Sequence, residues 1–152
     1  MDTATHHAVI RPATRADLPR IEALLASSDL PIIGVADLLD GFLVGEYNGD
    51  IVGVIGLETC CREYALLRST AIAPEWRGRT LGRQLVERAI ESAERRGFAA
   101  LYLLTTTAER YFPRFGFELT TREDVPQEVR DTDEFKTACP ASATVMTLSL
   151  TH

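Results

Sequence analysis

A short basic turn is the stretch of this chain whose residue types and spacing best suit a chemical task. It reads R-G-R-T-L-G over residues 77–82, after an apolar run that Pro74 ends and before a helical pattern. The N–H groups of a first helical turn carry partial positive charge, and small residues let a ligand approach the backbone. Arg77, Arg79 and Arg83 add positive charge there. The pattern predicts an anion site, most often for phosphate; the alternative is a solvated turn with three surface arginines.

Alternating strands and helices are predicted to position this turn. Asn48-Gly49, between two apolar runs, is a strong hairpin signal, and Asp17 is expected to cap the first helix. The long helix after the turn should end at a C-cap formed by Gly97. Strands are predicted at 8–11, 42–47, 51–57, 64–72, 100–104, 117–119 and 144–150, with helices after Asp17, at 35–39, at 81–96 and at 108–115. The order β-α-(α)-β-β-β-α-β-α-β-β is a mixed α/β fold, whose mostly antiparallel central sheet is flanked by helices.

Composition bounds the function further. The 152 residues suit a single domain over 1–152, with 45% hydrophobic and 25% charged residues, as in ordinary globular proteins. We find no apolar run long enough to cross a membrane and no signal-peptide pattern. A net charge of −6 argues against nucleic acid as the main partner. Three cysteines, an odd number that includes the neighbours Cys60 and Cys61, fit reduced thiols in a cytoplasmic protein.

The segment from residue 72 to residue 82 resembles the acetyl-CoA signature of the GCN5-related N-acetyltransferases (GNAT), in which a strand ending V-x-P precedes R-G-x-G-x-G/A and a long helix. Here Ile72-Ala73-Pro74 precedes R-G-R-T-L-G, with Thr80 in place of the middle glycine. The resemblance implies the GNAT fold, acetyl-CoA as cosubstrate, a small-molecule amine as acceptor and no metal. It places the pyrophosphate on the turn and the pantetheine arm on the preceding strand. The implied cofactor-binding residues are Thr70, Ala71, Ile72, Arg77, Gly78, Arg79, Thr80, Leu81, Gly82 and Phe112.

Acetyl transfer from a thioester to an amine needs a neutral amine, a hydrogen-bond donor for the oxyanion and, for the departing thiolate, an acid. The three histidines lie at the chain termini and are not chosen as the base. Glu58 and Glu63 lie on either side of a predicted hairpin, and either could act as base through a water. The alternative is that both are loop carboxylates. Cys60 and Cys61 have no histidine nearby in the sequence and are not expected to be nucleophiles.

The acid is the weakest part of the motif. In the GNAT family a helix ending Y-x-x-x-G-F commonly supplies a tyrosine hydroxyl to the CoA sulfur. The corresponding residues 111–117 read Y-F-P-R-F-G-F, so Phe112 occupies that position. Tyr111 is the neighbouring candidate for a catalytic role, but it would point about 100° away around an α-helix. The alternatives are a thiolate that leaves unprotonated and a protecting water.

Two further resemblances concern the acceptor. L-T-T at residues 104–106, followed by Y-F and G-F, resembles the acetyltransferase domain of N-acetylglutamate synthases. L-L-R-S at 66–69 and C-P-A-S-A at 139–143 resemble the arsenic-resistance N-acetyltransferases. Both imply a small amino-acid-like acceptor. Arg68, in an otherwise apolar strand, must be paired: either with Glu58 or Glu63, or with an acidic group of the acceptor, to which Thr105 and Thr106 would add weaker contacts.

Three functions stay open. The first is N-acetylation of a small acidic amino acid or of its arsenical or phosphinic analogue, with a role in arsenic or toxin resistance. The second is the same chemistry on a polyamine, an antibiotic or a peptide N-terminus. The third is a non-catalytic acyl-CoA-binding module, favoured by the phenylalanine at position 112. The oligomeric state is also open, with a homodimer among the alternatives.

Overall fold

The computed structural model of the chain describes residues 7–30, 32, 34–78, 80–105, 108–132, 135–136 and 143–150. Its strands are β1 (Val9–Pro12), β2 (Phe42–Tyr47), β3 (Asp50–Thr59), β4 (Tyr64–Ile72), β5 (Ala100–Thr105), β6 (Glu118–Thr120) and β7 (Thr144–Ser149). Its α-helices are α1 (Leu18–Ser27), α2 (Leu81–Arg95) and α3 (Gln127–Arg130). The strands follow the hydrogen-bonded order β1-β2-β3-β4-β5-β7-β6. Pairing is parallel between β4 and β5 and antiparallel in β1·β2, β2·β3, β5·β7 and β6·β7, which confirms the predicted mixed α/β fold.

Two compact units divide the chain. Unit 1 comprises Met1–Gly56 and Ser69–Ala89, and unit 2 comprises Leu57–Arg68 and Ile90–His152. The expectation of a single domain over residues 1–152 stays a prediction. Within the described ranges, no helix combines the length and the apolar character that a membrane crossing requires.

In unit 1, the tight hairpin between β2 and β3 forms as predicted. Asn48 and Gly49 have φ values of 52° and 83°, and a type I′ turn needs positive φ at both positions. Helix α2 packs closely on these strands because Gly53 has no side chain. A Cβ atom there would lie 3.0 Å from methyl carbons of both Leu81 and Leu85. The β2–β3 hairpin therefore positions the first turns of α2.

Asp17 occupies the N-cap position of α1, as predicted, but its side chain does not cap the helix. Its carboxylate accepts hydrogen bonds from both Nη atoms of Arg11, at 2.7 and 2.9 Å, and from the N–H of Thr14 at 2.8 Å. The Arg11 guanidinium holds the pKa of this buried carboxyl well below its usual range. The capping bond is absent for two reasons: a cation on β1 binds the carboxylate, and Pro19 has no N–H to donate in the first turn.

Unit 2 contains a parallel pairing, between the two strands that α2 connects along the chain. Residues 64–66 of β4 pair with residues 100–102 of β5. The stretch after β6 contains α3 and contributes two buried valines, Val125 and Val129, to the core. That core packs residues from strands and loop together: Leu66, Tyr102, Val125, Val129, Phe135 and Val145.

The short helix predicted at 108–115 is instead a 3-10 turn over Phe112–Phe115. Pro113 explains the difference, because it lacks an N–H and its ring would clash with the preceding turn of an α-helix. Gly116 ends the turn with a φ of 100°, a left-handed conformation that glycine adopts without strain. Strand β3 also runs two residues further than predicted, to Thr59, so Glu58 is a strand residue and not a loop carboxylate.

Candidate active site

The residues predicted to bind the pyrophosphate, 77–82, lie in unit 1 between the 3-10 turn Pro74–Trp76, which follows β4, and the first residues of α2; we call this segment the phosphate turn. Its first residue is tied back to the strand, since Nε of Arg77 donates a hydrogen bond to the carbonyl of Ile72 at 3.1 Å. Next to it, Trp76 is buried, and its ring centroid lies 5.1 Å from that of Tyr47 on β2. These contacts hold the start of the phosphate turn against the hairpin.

Two residues shape the middle of the phosphate turn. Gly78 has a φ of 77°, which glycine adopts without strain. Among the described residues other than its chain neighbours, none has a heavy atom within 4 Å of the position that a Cβ would occupy. The carbonyl of Thr80 accepts the N–H of Gln84 at 2.9 Å, so Thr80 immediately precedes the first helical residue of α2. The predicted contact from Arg79 lies outside the described residues.

The first turn of α2 has the chemistry of an anion site. The N–H groups of Thr80, Leu81 and Gly82 have no acceptor within the helix, because the first N–H groups of any α-helix precede its hydrogen-bonded ladder. The Leu81 side chain is 2% exposed, so packing fixes the orientation of this turn. Gly82 adds no side chain in front of the backbone. The arrangement suits a phosphate oxygen held by backbone donors.

The strand residues predicted to pair with the pantetheine arm form the end of β4. Ala71 is buried, whereas Thr70 and Ile72 are half-buried. Immediately before them, Ser69 has a φ of 57°, a left-handed conformation that is uncommon for a residue other than glycine. Such departures from strand geometry often occur at functional sites. The sequence contains no local signal for it, because serine has no particular preference for this conformation.

In unit 2, Arg68 and Glu58 form a buried ion pair. Nη1 of Arg68 lies 2.9 Å from Oε1 of Glu58, and the two residues are 3% and 8% exposed. The pairing of Arg68 with a nearby glutamate, one of the two alternatives raised by the sequence, is thus present. The contact engages one oxygen of the Glu58 carboxylate and orients the guanidinium.

Glu63 differs from Glu58 in exposure and in secondary structure. It lies in the exposed bend before β4, and its backbone carbonyl accepts the N–H groups of Ala99 at 2.7 Å and Ala100 at 3.4 Å. Its negative charge is the main cause of the raised pKa of Tyr64, the next residue. The structure therefore separates the two predicted bases into one buried, paired carboxylate and one exposed carboxylate.

The aromatic residues predicted near the CoA sulfur form a cluster of rings. Phe112 is buried, with its ring centroid 5.4 Å from Tyr111, 6.4 Å from Phe115 and 5.7 Å from Phe117. Tyr111 is half-buried, and the guanidinium of Arg114 lies 4.5 Å from its ring centroid. Because this segment is a 3-10 turn, the α-helical angle assumed between Tyr111 and Phe112 does not apply.

The remaining predicted acceptor residues are Thr105 and Thr106. Thr105 ends β5, and its Oγ1 accepts the N–H of Ala108 at 2.9 Å. Thr106 lies outside the described residues. Within the described ranges, no group of three or more histidine, cysteine, aspartate or glutamate side chains is placed to hold a metal ion.

Comparison with known proteins adds independent information. Residues 39–119, more than half of the chain, match the family model described as "Acetyltransferase (GNAT) domain". The chain is 37% identical over 92 residues to an amino-acid acetyltransferase of Aeromonas salmonicida, covering 59% of this chain but only 21% of that protein. It is 32% identical over 131 residues to the uncharacterized N-acetyltransferase YhbS of Escherichia coli, covering 77% of each.

Solved structures agree with this assignment. The crystal structure of Escherichia coli YhbS in complex with CoA has a TM-score of 0.73 and 25% identity, covering 95% of this chain and 82% of that one. N-acetylglutamate synthase from Neisseria gonorrhoeae, complexed with coenzyme A and N-acetyl-glutamate, has a TM-score of 0.81 and 20% identity. It covers 95% of this chain and 35% of the synthase, and at that identity it shows the fold alone. With the family match and the YhbS relationship together, the chain belongs to the GNAT family of acetyl-CoA-dependent N-acetyltransferases.

Proposed function

We propose that this protein transfers the acetyl group of acetyl-CoA to the amine of a small acidic amino acid or a close analogue. The observation that carries the acidic acceptor is the buried guanidinium of Arg68, on the same strand that leads into the phosphate turn. A buried cation is costly in a strand unless it has a partner; Glu58 is one partner of Arg68, and the acidic group of the acceptor is proposed as a second. The amino-acid acetyltransferase of Aeromonas salmonicida, as a relative, supports an amino acid as the acceptor.

Acetyl-CoA is proposed to bind along the end of β4 and the phosphate turn. The N–H groups of Thr80, Leu81 and Gly82 would hold pyrophosphate oxygens, with Arg77 and Arg79 adding charge. Gly78 supports this role because its left-handed conformation and open surroundings leave the backbone accessible. Backbone atoms of Thr70, Ala71 and Ile72 would pair with the pantetheine arm, and Phe112 would lie near the thioester. The thioester supplies the acetyl group when acetyl-CoA is bound.

Arg68 is proposed to bind the acidic group of the acceptor. A guanidinium has five N–H donors in a planar fork, and this geometry matches a carboxylate, a phosphinate or an arsinate. Glu58 engages the Nη1 end and would keep the fork in one orientation. Thr105 and Thr106 would add weaker polar contacts. An arsenical or phosphinic amino acid fits this site chemically, and acetylation of its amine would suit a resistance role.

The proton transfers are assigned to the remaining polar groups. Glu58 is held by Arg68, so Glu63 is the better candidate for accepting the amine proton through a water, although both stay in the proposal. Tyr111 is the proposed acid for the CoA thiolate, with solvent water as the alternative. We further propose a cytoplasmic protein that acts on free small molecules, with a homodimer as its candidate assembly.

Two alternative functions remain distinct. A GNAT enzyme for a polyamine, an antibiotic or a peptide N-terminus would share the phosphate turn but would not need Arg68 in the acceptor site. A non-catalytic acyl-CoA-binding module is favoured by one observation: at position 112 the buried ring has no hydroxyl.

The test is a thiol-release assay at saturating acetyl-CoA, with the amine varied. The panel contains glutamate, aspartate, a phosphinic and an arsenical amino acid, a polyamine, an aminoglycoside and a peptide with a free N-terminus. We expect the largest kcat/KM for an acidic amino acid or its analogue, above the background without amine. A higher value for the polyamine, aminoglycoside or peptide would contradict the proposed acceptor. Acetyl-CoA binding without amine-dependent thiol release would favour the binding module.

A further inference from the structure

Two neighbouring thiols, those of Cys60 and Cys61, lie where β3 has ended and the bend toward β4 begins. Their Sγ atoms are 3.8 Å apart, and both cysteines are free and half-buried. The function proposed above uses neither of them. Two thiols this close and partly exposed can bind a thiophilic group together. Which group they bind depends on the protonation of the thiols and on the distance between them.

Both thiols converge on a single acceptor. Sγ of Cys60 donates to the carbonyl of Tyr64 at 3.1 Å, and Sγ of Cys61 lies 4.0 Å from the same oxygen. A sulfur donates only while it carries its proton. Burial, assisted by the contact with Cys61, raises the pKa of Cys60 to about 12, so this thiol stays neutral at physiological pH. The ligand must therefore be one that can react with a neutral thiol.

Two familiar roles for paired cysteines fit this site poorly. Successive Cα atoms across a trans peptide are about 3.8 Å apart, whereas disulfides usually need roughly 4.4–6.8 Å, so a direct bond between these neighbours would be strained. Divalent zinc usually takes four ligands and binds cysteine as thiolate. Among the described residues, no third histidine, cysteine, aspartate or glutamate joins the pair to form such a set.

We propose that Cys60 and Cys61 form a chelating site for a trivalent arsenous acid, R–As(OH)₂. Each thiol condenses with one hydroxyl: two S–As bonds form, two S–H and two As–O bonds break, and two molecules of water leave. Arsenic stays trivalent, so no oxidant or reductant is needed, and the protons leave in the water. An arsenic atom between the sulfurs also removes the need for the strained direct bond. The site is independent of the acceptor site proposed above, because it consists of the thiols alone.

The experiment uses the full chain carrying Cys139→Ser, so that Cys60 and Cys61 are the two cysteines left in the sequence. Cys139 lies outside the described residues. Phenylarsonous acid is added with an excess of glutathione, a monothiol competitor, and intact mass is measured. We expect one phenylarsenic group per chain, released by an added dithiol. Cys60→Ser and Cys61→Ser, each in that background, are matched controls and should lose the adduct or weaken it at least tenfold. Retention of the adduct by either single variant at the parent level would overturn the proposal, as would failure of the parent to acquire it.

A second measurement uses no cysteine variant, so it does not require that a substituted protein folds. Phenylarsonous acid is added first, iodoacetamide second, and the labelled cysteines are identified by peptide mass mapping. We expect protection of Cys60 and Cys61 together, with the same protection from inorganic arsenite, which carries three hydroxyls. Protection of one cysteine without the other contradicts chelation. Neither measurement involves acetyl transfer, so failure here is distinguishable from failure of the proposed enzymatic function.

Discussion

Arg68 on β4 and Glu58 on β3 are joined by a 2.9 Å ion pair with only 1% and 11% of their side chains exposed. Removing either charge would leave the other buried without its counter-ion, which usually costs more than the intact pair contributes. The pair thus gives Arg68 a structural function whether or not it also binds the acceptor. Experiments on these residues must therefore measure stability and substrate affinity separately.

Glu58→Ala tests the structural side of this pair. We expect the free energy of unfolding to fall by about 3–5 kcal/mol, because a buried guanidinium loses its carboxylate. Glu63→Ala is the matched control: it removes the same group from the exposed bend and should change stability by less than about 0.5 kcal/mol. Urea unfolding of both variants is the measurement. A loss for Glu58→Ala as small as that of the control, less than about 0.5 kcal/mol, would mean that the ion pair contributes little.

Arg68→Lys tests the proposed acceptor contact. Lysine keeps the charge but not the planar fork, and losing a hydrogen bond to a charged group costs about 1.5–3 kcal/mol. We expect KM for an acidic amino acid to rise roughly 10- to 150-fold while KM for acetyl-CoA stays constant. Arg96→Lys, at an exposed arginine, is the control. An unchanged acceptor KM with a lowered Tm would assign Arg68 to structure alone.

Gly82→Val tests the phosphate turn. Acetyl-CoA at a hundredfold excess over Kd should stabilise the wild-type fold by about 2.7 kcal/mol, since it binds only the native state. A valine side chain at the second residue of α2 should block the backbone and abolish this stabilisation. Glu91→Val, on an exposed face of the same helix, should retain it. Thermal unfolding with and without acetyl-CoA is the measurement, and a folded Gly82→Val protein with the full shift would refute the assignment.

Phe112→Tyr addresses the missing hydroxyl. It restores the group that the GNAT family commonly places near the CoA sulfur, so we expect kcat at saturating substrates to be retained or raised. Phe115→Tyr adds the same hydroxyl to a half-buried neighbouring ring and should leave kcat unchanged. A loss of kcat by orders of magnitude in a folded Phe112→Tyr protein would mean that the ring is packed where the hydroxyl must go.

The Arg11–Asp17 pair predicts a pH dependence of stability. The pKa of Asp17 is lowered in the folded state, so its contribution is fully present above the unfolded carboxyl pKa of about 3.9. That contribution is lost as pH falls below this value toward the lowered folded-state pKa. Asp17→Asn should cost about 1.5–3 kcal/mol at pH 7, and its difference from wild type should shrink below about pH 4. Asp37→Asn, at an exposed aspartate, is the control; a pH-independent difference for Asp17→Asn would contradict the prediction.

Local patterns in the sequence were sufficient for much of the fold. The bounds of β2 and β4, the positive φ angles at Asn48 and Gly49, and the start of α2 at Leu81 all agree with sequence prediction. Each of these features depends on a pattern within one turn or one strand. The pattern is apolar periodicity, a turn dipeptide or a proline. The glycine-containing turn that precedes α2 belongs to this class, because its pattern lies within six residues; its binding of the pyrophosphate stays a prediction. The family assignment was predictable for the same reason.

Other features were decided only by tertiary structure. Glu58 and Glu63 look alike in the sequence, but β3 and β4 bring Glu58 to Arg68, ten residues away, and leave Glu63 exposed. Asp17 has the spacing of a helix cap, yet it binds Arg11 on β1. The left-handed conformation of Ser69 likewise follows no rule of local preference. Charge pairing and burial depend on which strands become neighbours, and the spacing of residues along the chain does not determine which strands those are.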